Sequence, residues 1–148
     1  MRIADALTGI NRLFLDTAPV IYHVEGNPAY QATTDLIFQR IQAGEIRAVT
    51  SSVTLAECLV HPLRRGDEAL AEQFRRVITA GRHTNYVGID AAAERAAELR
   101  ARHNLTLTDA FQVAAALMAG CDGFLTNDAG IRRAHELRVL VLDDLEPD

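Results

Sequence analysis

At 148 residues, 49% hydrophobic and 24% charged, the chain has the size of one soluble domain, 1–148, able to bury roughly two-thirds of the surface its unfolded form exposes. No apolar run approaches the roughly 18 residues of a membrane span, and the N-terminus MRIADALTGI has neither the basic patch nor the long apolar core of a secretion signal, which predicts a cytoplasmic protein with no membrane contact. A net charge of -5 disfavours, without excluding, a protein that holds nucleic acid by bulk positive potential, and the absence of lysine among the fifteen basic residues carries no weight of its own.

Taken in order, residues 1–10 carry no assignable signal, and the ends before Ile10 and after Leu145 are expected to fray. Arg12–Leu15 reads as a strand that ends at Asp16, and Pro19 suits the first turn of a short helix over Val20–Val24. A second helix spans Ala29–Ala43 and stops at Gly44. Ile46–Thr50 is a short β-branched strand, after which Ser51, Ser52 and Thr54 offer helix caps, and Pro62 is expected to end that helix. Glu68–Ala80 reads as helix, Thr84–Ile89 as strand, and Asp90 as the cap of an alanine-rich helix over Ala91–Arg102.

Next comes LTLTDAFQVAAALMAGCDGFLTND. Thr106 or Thr108 can cap its helix, which is apolar on nearly every face except at Gln112 and is therefore expected to be buried. Gly123–Thr126 is the apolar strand of a parallel-sheet core and delivers Asn127 and Asp128 past its end. A helix over Ile131–Leu137 and a strand over Arg138–Leu142 complete an alternation of strands and helices. That alternation predicts an α/β sandwich around a mostly parallel sheet with right-handed crossovers.

Strands of a parallel sheet end at one edge, so residues just beyond them gather over one crevice. Asp16 and Asp128 meet that condition directly, Glu57 lies about two turns into the helix leaving the second strand, and Asp109 opens the helix that feeds the Asp128 strand. Four carboxylates at close range repel, which is resolved by a raised pKa or by a divalent cation held through several oxygens. Each acid also has a plain structural reading as a helix cap, with Thr54-x-x-Glu57 and Thr106-x-x-Asp109 fitting a capping box. Capping does not explain why all four fall at one end of the sheet.

Other chemistries find little support. There is no GxSxG elbow, no Walker loop and no GxGxxG, and the five histidines form no HxH or HExxH grouping. His23, with Tyr22 beside it, is the one histidine placed to face the crevice. Cys58 and Cys121 lie in or beside apolar helices and read as buried free thiols.

Leu15-Asp16-Thr17, Ser51-Ser52-Val53-Thr54-Leu55-Ala56-Glu57, Leu105-Thr106-Leu107-Thr108-Asp109-Ala110 and Phe124-Leu125-Thr126-Asn127-Asp128, in that order and spacing, resemble the PIN-domain ribonucleases, and specifically the VapC-like toxins of toxin–antitoxin pairs. The resemblance covers nearly the whole chain. It implies a PIN-like three-layer sandwich with a central sheet of about five strands flanked by helices, and a Mg2+- or Mn2+-dependent endoribonuclease. Asp16, Glu57, Asp109 and Asp128 would then form the catalytic and metal-binding site, with Asp16 and Asp109 the firmest ligands and Thr126 supporting them through its hydroxyl. It further implies an RNA substrate, a small antitoxin partner and a homodimer, and leaves Arg64, Arg65, Arg75, Arg76, Arg132 and Arg133 as candidates for holding RNA backbone. Two alternatives share the fold: a PIN nuclease of RNA processing or repair, and a non-catalytic scaffold whose acids dock an arginine-bearing partner.

Overall fold

The structure, a computed structural model, describes residues 1–148. Five strands, β1 (Arg12–Leu15), β2 (Arg47–Ser51), β3 (Thr84–Val87), β4 (Gly123–Thr126) and β5 (Arg138–Val141), form one sheet in the order β3-β2-β1-β4-β5, and every pairing is parallel. Seven helices flank it: α1 (Ile3–Ala6), α2 (Thr17–Glu25), α3 (Gln31–Gln42), α4 (Ser52–Arg65), α5 (Glu68–Thr79), α6 (Ala93–His103) and α7 (Leu107–Met118).

Because side chains alternate along a strand, the middle strand β1 feeds two cores. Leu13 and Leu15 join α1, α2, α3 and α5 on one face through Ile3, Val20, Ile37, Phe38, Phe74 and Ile78. Phe14 points the other way and stacks on Phe124 with ring centroids 5.0 Å apart, under Ala96 and Leu99 of α6 and the small residues of α7. Those small residues let α7 lie close on the sheet. It is not uniformly buried, since Ala110 and Val113–Ala116 are inside while Leu107 and Met118 are more than half exposed.

Several boundaries depart from the sequence reading. Helix α2 starts at Thr17 rather than Val20, because the Asp16 side chain caps it directly. Pro62 does not end α4; it costs the one bond its missing N–H would have made, and the chain winds on to Gly66. Asp90 does not cap a helix. It opens a 3-10 turn over Asp90–Ala92, and α6 starts without a side-chain cap. The expected helix over Ile131–Leu137 is only a 3-10 turn over Ala129–Arg133. Nor are the ends frayed: Ile3, Ala6, Leu7 and Ile10 are core residues, and Ile3 N–H donates to the Glu146 carbonyl at 3.1 Å while Glu146 N–H donates to that of Met1 at 2.8 Å. No helix is long and apolar enough to cross a membrane.

Candidate active site

Asp16 directly follows β1 and caps α2, so its carboxylate stands where a strand gives way to a helix. Its Oδ1 accepts the Thr17 N–H at 2.9 Å and an amide hydrogen of Gln112 at 3.3 Å, while Oδ2 accepts the Thr126 hydroxyl at 2.8 Å. The residue is only 9% exposed. Burial pushes this carboxyl above its ordinary range, the three hydrogen bonds oppose the rise, and the charge of Glu57 adds to it. None of the chain's ion pairs includes Asp16, Glu57, Asp109 or Asp128.

From that floor the other acids step out toward solvent. Asp109 is half-buried in the first turn of α7, whose cap is Thr106: the Asp109 N–H donates to Thr106 Oγ1 at 3.2 Å. Burial raises its carboxyl too, a hydrogen bond with Thr106 opposes the rise, and the charges of Asp16 and Asp128 add to it against a smaller pull from Arg133. Glu57 stands exposed on α4, its Oε1 accepting the Thr17 hydroxyl at 2.7 Å. Asp128 is exposed past the end of β4, its N–H donating to Thr126 Oγ1 at 3.1 Å and its Oδ1 accepting the Gly130 N–H at 2.9 Å. Asp16 and Asp128 are therefore helix or turn caps and members of this edge at the same time. Glu57 belongs to no capping box, because Ser51 rather than Thr54 caps α4.

The acids feel one another's charge without closing into a tight cluster. The one set of three ligating side chains whose donor atoms all lie within 4.8 Å of one another is elsewhere, at His103, His135 and Glu136. There the carboxylate is already answered: His103 Nε2 lies 2.7 and 2.9 Å from the two Glu136 oxygens, and Arg102 approaches to 3.7 Å. At the sheet edge, by contrast, only oxygen ligands face the crevice, and three of the roughly four acceptor positions of the Asp16 carboxylate are occupied. A hard divalent cation such as Mg2+ or Mn2+ suits that donor set.

Gln112 is the polar centre beneath the site that sequence reasoning did not assign, although it stands out as the only polar residue in an apolar run. It is buried, its Oε1 accepts the Ser51 hydroxyl, and its Nε2 donates to Thr54 Oγ1 at 2.8 Å as well as to Asp16. His23 does not face the crevice. It stacks on Phe38 with centroids 3.8 Å apart and its Nδ1 lies 2.8 Å from Asp35, while Tyr22 stacks on Tyr30 at 4.3 Å. A groove of about 400 Å³ adjoins Glu57, walled by Val53, Ala56, Ile89, Leu107 and Phe111.

The PIN domain family model matches residues 13–137, a span that runs from β1 to the threshold of β5 and contains all four acids and Thr126. The chain belongs to the PIN domain family. PIN domains are nucleases, and this one has the fold of solved VapC toxins. VapBC2 from Rickettsia felis, bound to a DNA fragment from its promoter, is similar at a TM-score of 0.66 and 15% identity over 88% of this PIN domain and 98% of that chain. VapC20 of Mycobacterium tuberculosis, a sarcin-ricin loop cleaving toxin, is similar at 0.65 and 20% over 82% and 94%. A toxin–antitoxin complex from Klebsiella pneumoniae is similar at 0.60 and 23% over 88% and 97%. No curated protein matches this PIN domain in sequence.

Proposed function

We propose that this PIN domain is an endoribonuclease that hydrolyses RNA phosphodiester bonds with Mg2+ or Mn2+ and serves as the toxin of a toxin–antitoxin pair. The observation that supports this most is the buried Asp16 carboxylate, left without a cationic partner among Glu57, Asp109 and Asp128 at the carboxyl edge of a PIN fold. Asp16 and Asp109, the two more buried acids, would hold the cation most firmly, with Glu57 and Asp128 completing its surroundings. When bound, such an ion supplies a Lewis acid for a phosphoryl oxygen and an acidified water for in-line attack.

The remaining work belongs to side chains. Thr126 orients Asp16, and Thr17 holds Glu57 over the mouth, where an exposed carboxylate can orient the attacking water and take its proton. Among the candidate arginines, Arg65, Arg75, Arg76 and Arg132 are engaged with Glu25, Glu68, Glu72 and Asp144. Arg133 is tied to the Asn104 carbonyl at 2.8 Å, close enough to Asp109 to act on its charge, and is the cation best placed for a phosphate next to the acids. The toxin–antitoxin complexes among its structural neighbours support a small antitoxin as the partner and regulator, and exposed Val60, Leu63 and Leu107 give a protein partner apolar surface, for an antitoxin or a second copy.

The test is cleavage of total RNA with added Mg2+ or Mn2+. Activity is expected to disappear with chelator and in Asp16→Ala and Asp109→Ala, and undiminished cleavage by those variants would remove the site assignment.

A further inference from the structure

We propose that Gln112 is a positioning residue that fixes the Asp16 carboxylate for cation binding, its own amide being held by Ser51 and Thr54. This rests on the metal-dependent reading above and deepens it. Gln112 sits on α7 one turn after Asp109, among Ala110, Val113, Ala114, Ala115 and Ala116, where leucine or methionine would fill the same space without a polar group to satisfy. Instead its amide joins four elements: Ser51 at the end of β2, Thr54 in α4, Asp16 at the end of β1, and α7 itself.

The chain of donors runs in one direction. The Thr54 N–H donates to Ser51 Oγ at 3.2 Å, and the Ser51 hydroxyl donates onward to Gln112 Oε1. The Thr54 hydroxyl donates to the Leu15 carbonyl at 3.2 Å, so its oxygen is the acceptor for Gln112 Nε2 at 2.8 Å. With Oε1 claimed by Ser51, the second Nε2 hydrogen can only point at Asp16 Oδ1. Turning the amide over would set its carbonyl oxygen against the Asp16 carboxylate and against Thr54 Oγ1, whose proton is already given to the Leu15 carbonyl. Asp16 and Thr54 therefore fix which end of Gln112 faces them, Ser51 anchors the other end by donating to Oε1, and Gln112 together with Thr17 and Thr126 holds the carboxylate from three sides. Outer hydrogen-bond partners of metal ligands typically set affinity by about 10- to 100-fold.

The experiment is calorimetric titration of the intact protein with Mn2+, alongside thermal melts in chelator. Gln112→Met keeps the volume and removes the donor. It is expected to stay folded and to bind Mn2+ about 10-fold or more weakly than wild type. Ser51→Ala, which leaves Gln112 in place but removes the donor to its Oε1 along with the α4 cap, whose loss is read in the melting temperature, is expected to weaken binding less than Gln112→Met and to add nothing to the affinity loss in the double variant, as residues acting in series do. Thr50→Val serves as the control for a merely structural effect, because it removes a buried hydroxyl that donates to the Ile78 carbonyl at 2.6 Å, away from the acids; it is expected to lower the melting temperature and leave Mn2+ affinity alone. Wild-type affinity in folded Gln112→Met, or additive losses in the double variant, would overturn the positioning role while leaving the metal site standing. If Gln112→Met does not fold, the Ser51→Ala titration decides, wild-type affinity overturning the role. Failure of wild type itself to bind Mn2+ would overturn both readings.

Discussion

The hydroxyl of Thr126 stands between two acids: it donates to Asp16 Oδ2 at 2.8 Å and accepts the Asp128 N–H at 3.1 Å. The last residue of β4 thus sets the side chain of one acid and the backbone of the other. Thr126→Val removes both bonds at nearly constant volume and leaves a buried carboxylate oxygen without its donor, a loss of about 1–3 kcal/mol. RNA cleavage in Mn2+ is expected to fall by about 10- to 100-fold, and Thr126→Ser to restore most of it. Unimpaired cleavage by the valine variant would show that the hydroxyl has no part in the site.

The raised carboxyl of Asp16 gives the chain a pH dependence of stability with a definite sign. Burial is its main cause, so the folded state binds the proton more tightly than the unfolded state. Stability from this group is complete below the unfolded value near 3.8 and is lost as pH rises through the higher folded value. In chelator at neutral pH, Asp16→Asn is therefore expected to melt at a higher temperature than wild type, the gap closing toward pH 4, while cleavage is abolished. Melting curves across that range check it, and an asparagine variant no more stable than wild type at pH 7 would contradict the account.

Glu136 carries the opposite sign. Burial pushes its carboxyl up, but the His103 hydrogen bond, its own backbone N–H and the charges of His103 and His135 outweigh that and hold it below the usual range. Its contribution is present above the unfolded value of 4.5 and is lost as pH falls through the folded one. Glu136→Gln is expected to lower the melting temperature at pH 7 and to lose that deficit on acidification. Because the pair ties the end of α6 to the segment before β5, Mn2+ affinity is expected to stay within twofold of wild type.

Both thiols are sheltered. Burial is the leading cause of the rise at each, taking Cys121 up to about 12 and Cys58 higher still, with Glu57 and Asp16 adding to the latter. Neither forms a thiolate at pH 8 in the native fold, so a disulfide-exchange reagent is expected to react slowly until denaturant is added and then to count two thiols. Rapid modification of native protein would mean that the α4 or β4 region opens far more readily than its packing implies.

What could be read from the sequence follows from which signals are local. Strands that deliver Asp16 and Asp128 just past their ends and the burial of both cysteines are encoded within a few residues, and the structure carries each as read; of the two threonines able to cap α7, it selects Thr106. Asp90 looked like a cap because it follows a strand, but the cap geometry depends on backbone angles that the intervening 3-10 turn changes. The clasp of residues 1–10 against Glu146 joins the two ends of the sequence and leaves no periodic trace in either. His23 was placed by its distance from Asp16, whereas its actual neighbours Phe38 and Asp35 come from α3 and could not be known without the fold. Gln112 was visible as an anomaly, but its partners Ser51 and Asp16 lie 61 and 96 positions away.

Strand β1 is paired on both sides and its Leu13, Phe14 and Leu15 are shut from solvent on both faces. Its amides are expected to exchange with deuterium only through opening of the entire domain rather than a local fluctuation. The aspartate at its tip is thus clamped to the most enclosed strand of the sheet, while Glu57 and Asp128 stand on the exposed rim. Under thermal or chemical stress the chain is expected to keep that one anchor until the whole domain unfolds.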